Sequence, residues 1–399
     1  MSNLIFENLE IRKFIEDHKS LPIADVILKI HNKKIGHKDF IVNQINAYQK
    51  LKHKLPFWTD IPELIYPSIV SFEQCSSSET ALFKSSILKE NCNHIIDITG
   101  GFGIDTYYLS QKCREITHVE RNKELSEIVQ HNFQKLNVEN CKFVIDDSIE
   151  YLKSCKVNFD LLYVDPARRD SENNKVVLVN HCEPNLYENF ELFKSKSKQI
   201  LAKFSPMLDI HHIISELKPQ KIFIVSVKNE CKEILVYWDF QTEQEKTFID
   251  TINIHSSLIQ MNSFEYKNEN LNINYQEPQL YIYEPNSSIM KSGCVDQLAK
   301  ELNLPKLHPN THLFTSEFLI KNFPGRIYKV ITQCTYSEKS VKKYITDSKA
   351  QITTRNFGES VEEIRKKLKL KDGGDKTIIA TSSIHNKKLI LLTERILQV

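Results

Sequence analysis

The sequence predicts an α/β protein: a doubly wound, mainly parallel sheet, preceded by a helical region and followed by a smaller two-layer α/β module. Three observations carry this. From His94 onward, short β-branched runs alternate with helical ones, the rhythm of parallel βαβ units. The last two runs of that series, KIFIVSV and EILVYWDF, are joined by the turn VKNECKE, too short for a helical crossover, so they pair antiparallel. The final eighty or so residues repeat the alternation as βαβαββ, which suits a small separate module.

The elements follow in order. LIFENLEIRKFIEDH has apolar residues at helical spacing, and Ser20-Leu21-Pro22 places a capping serine and an early proline before IADVILKIHNKK. A third helix, DFIVNQINAYQKLKHKL, stops at Pro56, and a proline-punctuated connector runs on to Pro67. Ser76-Ser77-Ser78-Glu79 reads as a capping box opening TALFKSSIL. The strands HIIDI, EITHVE, CKFVI, FDLLYVD and QILAKF then alternate with TYYLSQK, NKELSEIVQHNFQKL, SIEYLK and a longer helix near PNLYENFELF. Residues 241–280 are polar and asparagine-rich, and no element is assigned there. In the last module IYKVITQC is a strand, SEKSVKKYITDS a helix, AQITTRNF a strand and SVEEIRKKLKL a helix. After the turn Asp372-Gly373-Gly374-Asp375, KTIIATS and KLILLTER pair as a hairpin across Asn386.

Composition narrows the class. With 399 residues, 41% of them hydrophobic and 26% charged, the chain can bury two or three cores. Nine glycines and 13 prolines exclude a collagen-like or low-complexity chain. No apolar run approaches the roughly 18–20 residues of a membrane span. MSNLIFENLEIRKF has acidic residues where a signal peptide is basic, so the expectation is a soluble, cytoplasmic protein. Nine scattered cysteines without a Cys-x-x-Cys pair argue against a disulfide framework and a structural zinc site, and no metal is expected. Residues 321–399 carry 17 basic and 8 acidic side chains, whereas residues 91–320 carry 24 and 32. A basic module on an acidic body points to nucleic acid, against the alternative of a lysine-rich solvated surface.

The site signal is Asp97-Ile98-Thr99-Gly100-Gly101-Phe102-Gly103-Ile104-Asp105, which leaves the first strand and enters a helix. Glycines permit a tight turn and close approach of a ligand, and the amides at a helix start bind polar groups. Glu120 ends the next strand, where a carboxylate can accept from both ribose hydroxyls of an adenosine, and Asp147, beside Asp146, ends the third near the adenine position. A dinucleotide turn would need a third glycine where Thr106 stands. The fourth strand ends in Asp165-Pro166-Ala167-Arg168-Arg169-Asp170. Pro166 restricts Asp165 to extended geometry, and Arg168 and Arg169 can fork onto phosphate or carboxylate, or pair with neighbouring acids. His211-His212 is a poor metal pair, because adjacent helical residues diverge.

The run at 97–105 resembles motif I of class I S-adenosylmethionine-dependent methyltransferases, with Thr99 replacing the first glycine as in bacterial small-subunit rRNA guanine-N2 methyltransferases. Asp165-Pro166-Ala167-Arg168 stands where that class carries motif IV, with Ala167 and Arg168 in place of a second proline and an aromatic; it is similar also to the Asp-Pro-Pro-Arg of RNA uridine-C5 methyltransferases, whose cysteine motif has no counterpart here. From about residue 70 onward the chain resembles a bacterial group of these enzymes with a C-terminal THUMP-like domain, through Ser205-Pro-Met-Leu-Asp, Val227-Lys-Asn-Glu-Cys, Tyr283-Glu-Pro-Asn, Lys306-Leu-His-Pro-Asn, Phe323-Pro-Gly-Arg and Leu370-Lys-Asp-Gly-Gly-Asp. After the helical region 1–70 read above, the resemblance implies a Rossmann-like seven-stranded class I methyltransferase sheet with a reversed last strand over 71–245, a ferredoxin-like segment over 280–322 and a THUMP-like domain over 323–399. It implies S-adenosylmethionine as cofactor, held by Gln74, Asp97, Thr99, Gly100, Gly101, Gly103, Glu120 and Asp147, and Asp165 with Pro166 as catalytic positions. RNA is the expected partner, met by Arg168, Arg169, Arg365 and Lys369, the last two sharing a helical face among Arg355, Lys366, Lys367 and Lys371. The alternatives are an RNA-binding protein with a non-catalytic methyltransferase fold, and a methyltransferase with a small-molecule or protein acceptor.

Overall fold

The structure is a computed structural model and describes residues 5–88, 92–168, 182–256, 258–267 and 271–397. The chain forms two compact units: residues 1–222 with 232–245, and residues 223–231 with 246–399.

The first unit opens with helices α1 (Leu9–His18), α2 (Ile23–Lys33) and α3 (Lys38–Leu51), then the short α4 (Pro56–Asp60), α5 (Ile69–Gln74) and α6 (Ser78–Ile87). The spacing of Ile11, Phe14, Val26, Ile30, Ile41 and Ile45 puts all six on inward faces, where they bury one another. Pro22 itself is the N-cap of α2, so the helix starts without the serine cap that Ser20 suggested. The Ser76 capping box is also corrected. Ser77 caps α6, its Oγ accepting from the Thr80 amide, and Ser76 is drawn away to a partly buried carboxylate described below.

Next come β1 (Cys92–Asp97), α7 (Ile104–Ser110), β2 (Cys113–Val119), α8 (Lys123–Lys135), β3 (Cys141–Val144), α9 (Ser148–Ser154) and β4 (Phe159–Val164). The two-residue strands β5 (Ala167–Arg168) and β6 (Cys182–Glu183) pair with each other. They are followed by α10 (Leu186–Lys196), β7 (Ser197–Phe204), α11 (Ile210–Leu217), β8 (Lys221–Val227) and β9 (Glu230–Asp239). In the first unit the strand order is β9-β7-β4-β1-β2-β3. Every neighbouring pair is parallel except β7 with β9. Lys228 and Asn229, between β8 and β9, both have positive φ, the backbone of a tight reversal, and this supplies the expected antiparallel last strand.

The helical region is welded to this sheet. Leu51, Leu55 and Trp58 share a core with Phe102, Tyr107, Val129 and Phe133. The buried Asn132 of α8 accepts from the Ile65 amide (2.9 Å) and donates to its carbonyl (2.8 Å), satisfying both polar groups of a connector that has no strand partner.

In the second unit β10 (Phe248–His255) and β11 (Leu258–Glu265) form an antiparallel hairpin within the polar stretch that the sequence leaves unassigned. Buried Asp250, Thr251 and Asn253 lie on β10 and disguise the strand as a polar stretch. There follow β12 (Tyr281–Pro285), α12 (Ser287–Ser292), α13 (Val295–Glu301), β13 (Lys306–His308), β14 (Thr311–Ser316), β15 (Gly325–Cys334), α14 (Glu338–Val341), β16 (Gln351–Thr354), α15 (Val361–Leu368), β17 (Lys376–Ser382) and β18 (Lys388–Ile396). They make a seven-stranded sheet, β13-β14-β12-β15-β18-β17-β16, with β17 and β18 paired antiparallel as expected. Ile378 and Ala380 pack with Ile364 and Leu368, whereas Ile379 faces the opposite core with Leu389 and Leu391. The helix expected over SEKSVKKYITDS is confined to the four residues of α14.

Candidate functional site

The loop from β1 into α7 is held by side chains of its own sequence. Asp97, 1% exposed, accepts from the Thr99 amide (2.9 Å), from Thr99 Oγ1 (3.3 Å) and from Thr106 Oγ1 (2.7 Å). Burial pushes its carboxyl up to about 7 against these hydrogen bonds. Thr106, the residue that breaks the dinucleotide pattern, is therefore an anchor of the loop. Thr99 bridges further: its Oγ1 accepts from the Asp165 amide (2.7 Å), tying this loop to the one after β4.

Two glycines are dictated by contact. A Cβ on Gly100 would stand 2.3 Å from Nε2 of His118, and one on Gly103, at φ +77°, would stand 2.6 Å from Val129 Cγ1. Gly101 differs, since a Cβ there would meet nothing nearer than the Thr99 carbonyl at 3.6 Å. Its amide donates to Glu120 Oε2 (3.0 Å), and Oε1 of the same carboxylate accepts from Asn122 N (2.7 Å). Asp147 caps α9, accepting from the amides of Ile149 (2.9 Å) and Glu150 (3.2 Å). Gln74, Asp97, Thr99, Gly100, Gly101, Gly103, Glu120, Asp147 and Asp165 all line one cleft of about 450 Å³.

Beneath it lies an ionic cluster that the sequence reading missed. Lys203 Nζ pairs with Asp165 Oδ2, and the fully buried Lys84 pairs with Glu233 (2.7 Å) and Asp105 (3.2 Å). Asp105 also accepts from Ser76 Oγ (2.8 Å) and Tyr163 OH (2.7 Å). Although burial opposes its ionisation, Lys84 and Lys203 hold the Asp105 carboxyl below its usual range. Burial opposes the charge on Lys203 too, yet Asp165, Asp105 and Glu233 together drive its value upward, so it stays an ammonium.

A family described as conserved hypothetical protein 95 matches residues 79–203, a ferredoxin-like domain matches 281–324, and a THUMP domain-like family matches 325–395. A protein of Porphyromonas gingivalis W83, assigned as a methyltransferase, has a crystal structure similar to this one: 32% identity, 98% of each chain covered, TM-score 0.85. The chain belongs to this methyltransferase family. An uncharacterized RNA methyltransferase of Mycoplasma mobile is 34% identical over 97 residues, 24% of this chain; the match spans about a quarter, 26%, of that relative's length.

The methyltransferase cleft fits S-adenosylmethionine by the chemistry of its donor set. An open glycine backbone at Gly101 faces a cleft within the usual size range of small-molecule sites, and carboxylates stand at the ends of β2 and β3 as acceptors for hydroxyl and amino groups.

Other expected residues stand elsewhere. Pro166 is buried next to Asp165 and does not line the cleft. The backbone of Arg168 pairs with Cys182, and Arg169 lies outside the described residues. The shared helical face of Arg365 and Lys369 is corrected: Lys369, at φ +51°, is the left-handed cap beyond α15. Arg365 bonds Asp372 (2.8 Å) and the Ala350 carbonyl (3.2 Å), and Lys369 pairs with Glu338 (2.9 Å). Among the described residues no helix is long and apolar enough to cross a membrane, and no group of three or more histidine, cysteine or acidic side chains is placed to hold a metal.

Proposed function

We propose that this chain transfers a methyl group from S-adenosylmethionine to a base of cytoplasmic RNA. The observation that carries the reading is the double hold on Asp165: its amide bonds Thr99 of the glycine loop, and its carboxylate pairs with Lys203. The acid that faces the acceptor is thereby fixed to the loop that faces the cofactor.

When bound, S-adenosylmethionine supplies a sulfonium methyl, an electrophile whose leaving group needs no proton. Glu120 and Asp147 would hold its ribose and adenine, and Gln74 would contact its methionine portion. The work left to the protein is alignment of an in-line displacement. Asp165 accepts a hydrogen bond from an N–H of the acceptor, raises its lone-pair donation, and receives its proton as the new bond forms. Lys203 pairs with the carboxylate and orients it for that purpose. RNA as the acceptor is supported by the basic residues 321–399, by the THUMP-like match and by the Mycoplasma relative's name.

Labelled methyl transfer to total RNA tests this. Wild type should incorporate label and Asp165→Ala should lose at least a hundredfold of it, the order that a positioned acid–base group contributes; equal incorporation would reject Asp165. A second reading, RNA binding without methyl transfer, draws on Ala167 in the motif and on the pairing of Asp165 with Lys203. Cofactor and RNA binding without incorporation would select it.

A further inference from the structure

Three sequence runs that the cleft does not use, around Glu284, His308 and Arg326, meet at one end of the seven-stranded sheet of the second unit. The pairing of β12 with β15 sets Glu284 opposite Arg326. Glu284 is 3% exposed, and its Oε2 accepts from Arg326 Nη1 (3.4 Å) and Tyr328 OH (3.2 Å), while Oε1 accepts from Arg355 Nη2. Burial and the Glu284 charge push Tyr328 up to about 12, so it remains a donor.

Arg355 is brought there by a turn with more support than a connector needs. Its amide donates to the Ala380 carbonyl (2.9 Å), and Asn356 follows with φ +53°. Ser382 Oγ donates to the Asn356 carbonyl (2.6 Å), and Asn356 Nδ2 donates to His308 Nδ1 (3.1 Å). The Asn310 amide also donates to Nδ1 (3.0 Å), so His308 is protonated at Nε2, which bonds Asn386 Oδ1 (3.0 Å).

The result is two guanidinium groups on one carboxylate, a net positive charge held rigidly at a surface. The side chains of Arg326 and Arg355 are 37% and 39% exposed; Arg355 Nη1 also donates to the Thr354 carbonyl (2.8 Å), and each guanidinium keeps further N–H donors beyond these bonds. Such a fork matches phosphate oxygens, and an incoming anion relieves the repulsion between the two cations. We infer that Arg326 and Arg355 form a phosphodiester-binding site on the second unit, with the RNA backbone as its ligand. The inference rests on RNA as the acceptor of the proposed reaction. Glu284, Tyr328 and the His308–Asn356 bond act through the arginines, as positioning groups.

The test measures binding of the full chain to a labelled oligouridylate and to an RNA hairpin across a salt series. In Arg326→Ala/Arg355→Ala the slope of log affinity against log salt should become shallower by roughly 1.4, the release of two single-strand phosphate contacts. S-adenosylmethionine affinity, measured by calorimetry on the same protein, should not change. If the double variant melts below the assay temperature, the single variant Arg355→Gln, which leaves Arg326 and Tyr328 on Glu284, should lower the slope by roughly 0.7. A folded variant with the wild-type slope, or a wild-type chain without salt-dependent RNA binding, would overturn the site and make the three residues an internal ion-pair truss. Failure of cofactor binding with the slope change intact would instead reject the methyltransferase reading and leave the phosphate site standing.

Discussion

Gly100→Ala is the sharpest test of how the glycine loop is built. The added methyl would fall 2.3, 2.4 and 2.6 Å from three atoms of the His118 ring. That ring is fully buried and stands 5.4 Å from Phe143 between ring centres, so a retreat would have to displace packed neighbours. Ordinary contact begins near 3.5 Å, so the loop or the strand must shift by about an ångström. Overpacking of this kind costs about 1–3 kcal/mol, and the rigidity of the site places it at the upper end. At roughly 2–4 °C per kcal/mol for a unit of this size, Tm should fall by roughly 6–12 °C. The shift also pulls on the Gly100 amide, which bonds the Val119 carbonyl (3.0 Å), and on the adjacent Gly101–Glu120 bond, so S-adenosylmethionine affinity falls with it. The rescue is specific. Neither nitrogen of His118 makes a well-formed hydrogen bond among the described residues, the ring only approaching the Gly100 and Gly101 backbone, and His118→Ala opens the space that the new methyl needs. In a denaturant double-mutant cycle the pair should be more stable than the sum of the single changes by about 2 kcal/mol. Additive effects, or a single Gly100→Ala variant within about 0.5 kcal/mol of wild type, would refute the steric account.

Two further outcomes follow from the same site. Glu120→Ala should weaken S-adenosylmethionine binding about a hundredfold by calorimetry while leaving Tm nearly unchanged, because the carboxylate is only partly buried and its loss strands the Gly101 amide at the ligand surface; unaltered affinity would place the cofactor elsewhere. For Asp97 the sign is set by a folded-state value raised from about 3.8 to about 7. The folded protein then binds this proton more tightly than the unfolded chain, a stabilisation fully present below about pH 4 and lost as pH rises toward 7. The stability of wild type minus that of Asp97→Asn, from urea unfolding, should therefore decrease between pH 4.5 and 8 by on the order of 2–4 kcal/mol, and a difference independent of pH would mean that Asp97 is ionised throughout.

The parts of the site that the sequence revealed are those whose signals are local. Glycines 100, 101 and 103, the acids ending β2 and β3, and Asp165 after β4 each sit at a strand end that period and turn residues mark, and the alternating order already directs those ends to one side of a sheet. The reversed β9 was legible for the same reason, since a short turn leaves one geometry. Residues 241–280 were not, because β10 buries Asp250 and Asn253 where a strand pattern would call for apolar side chains. Lys369 was misplaced by one geometric step, a left-handed cap that ends α15 before the residue is reached.

Sequence by itself determined the order of elements, the glycine loop and the acid beside it, because these depend on neighbours a few residues away. Only the tertiary structure decided what controls that acid. Lys203 reaches Asp165 across 38 residues and Lys84 reaches Glu233 across 149, and the two lysines share Asp105 beneath the cleft. Each reads in the sequence as an ordinary surface charge. Burial removes the water that would otherwise solvate them, and in its absence every one of these charges must be answered by another, which only the packed fold brings within reach.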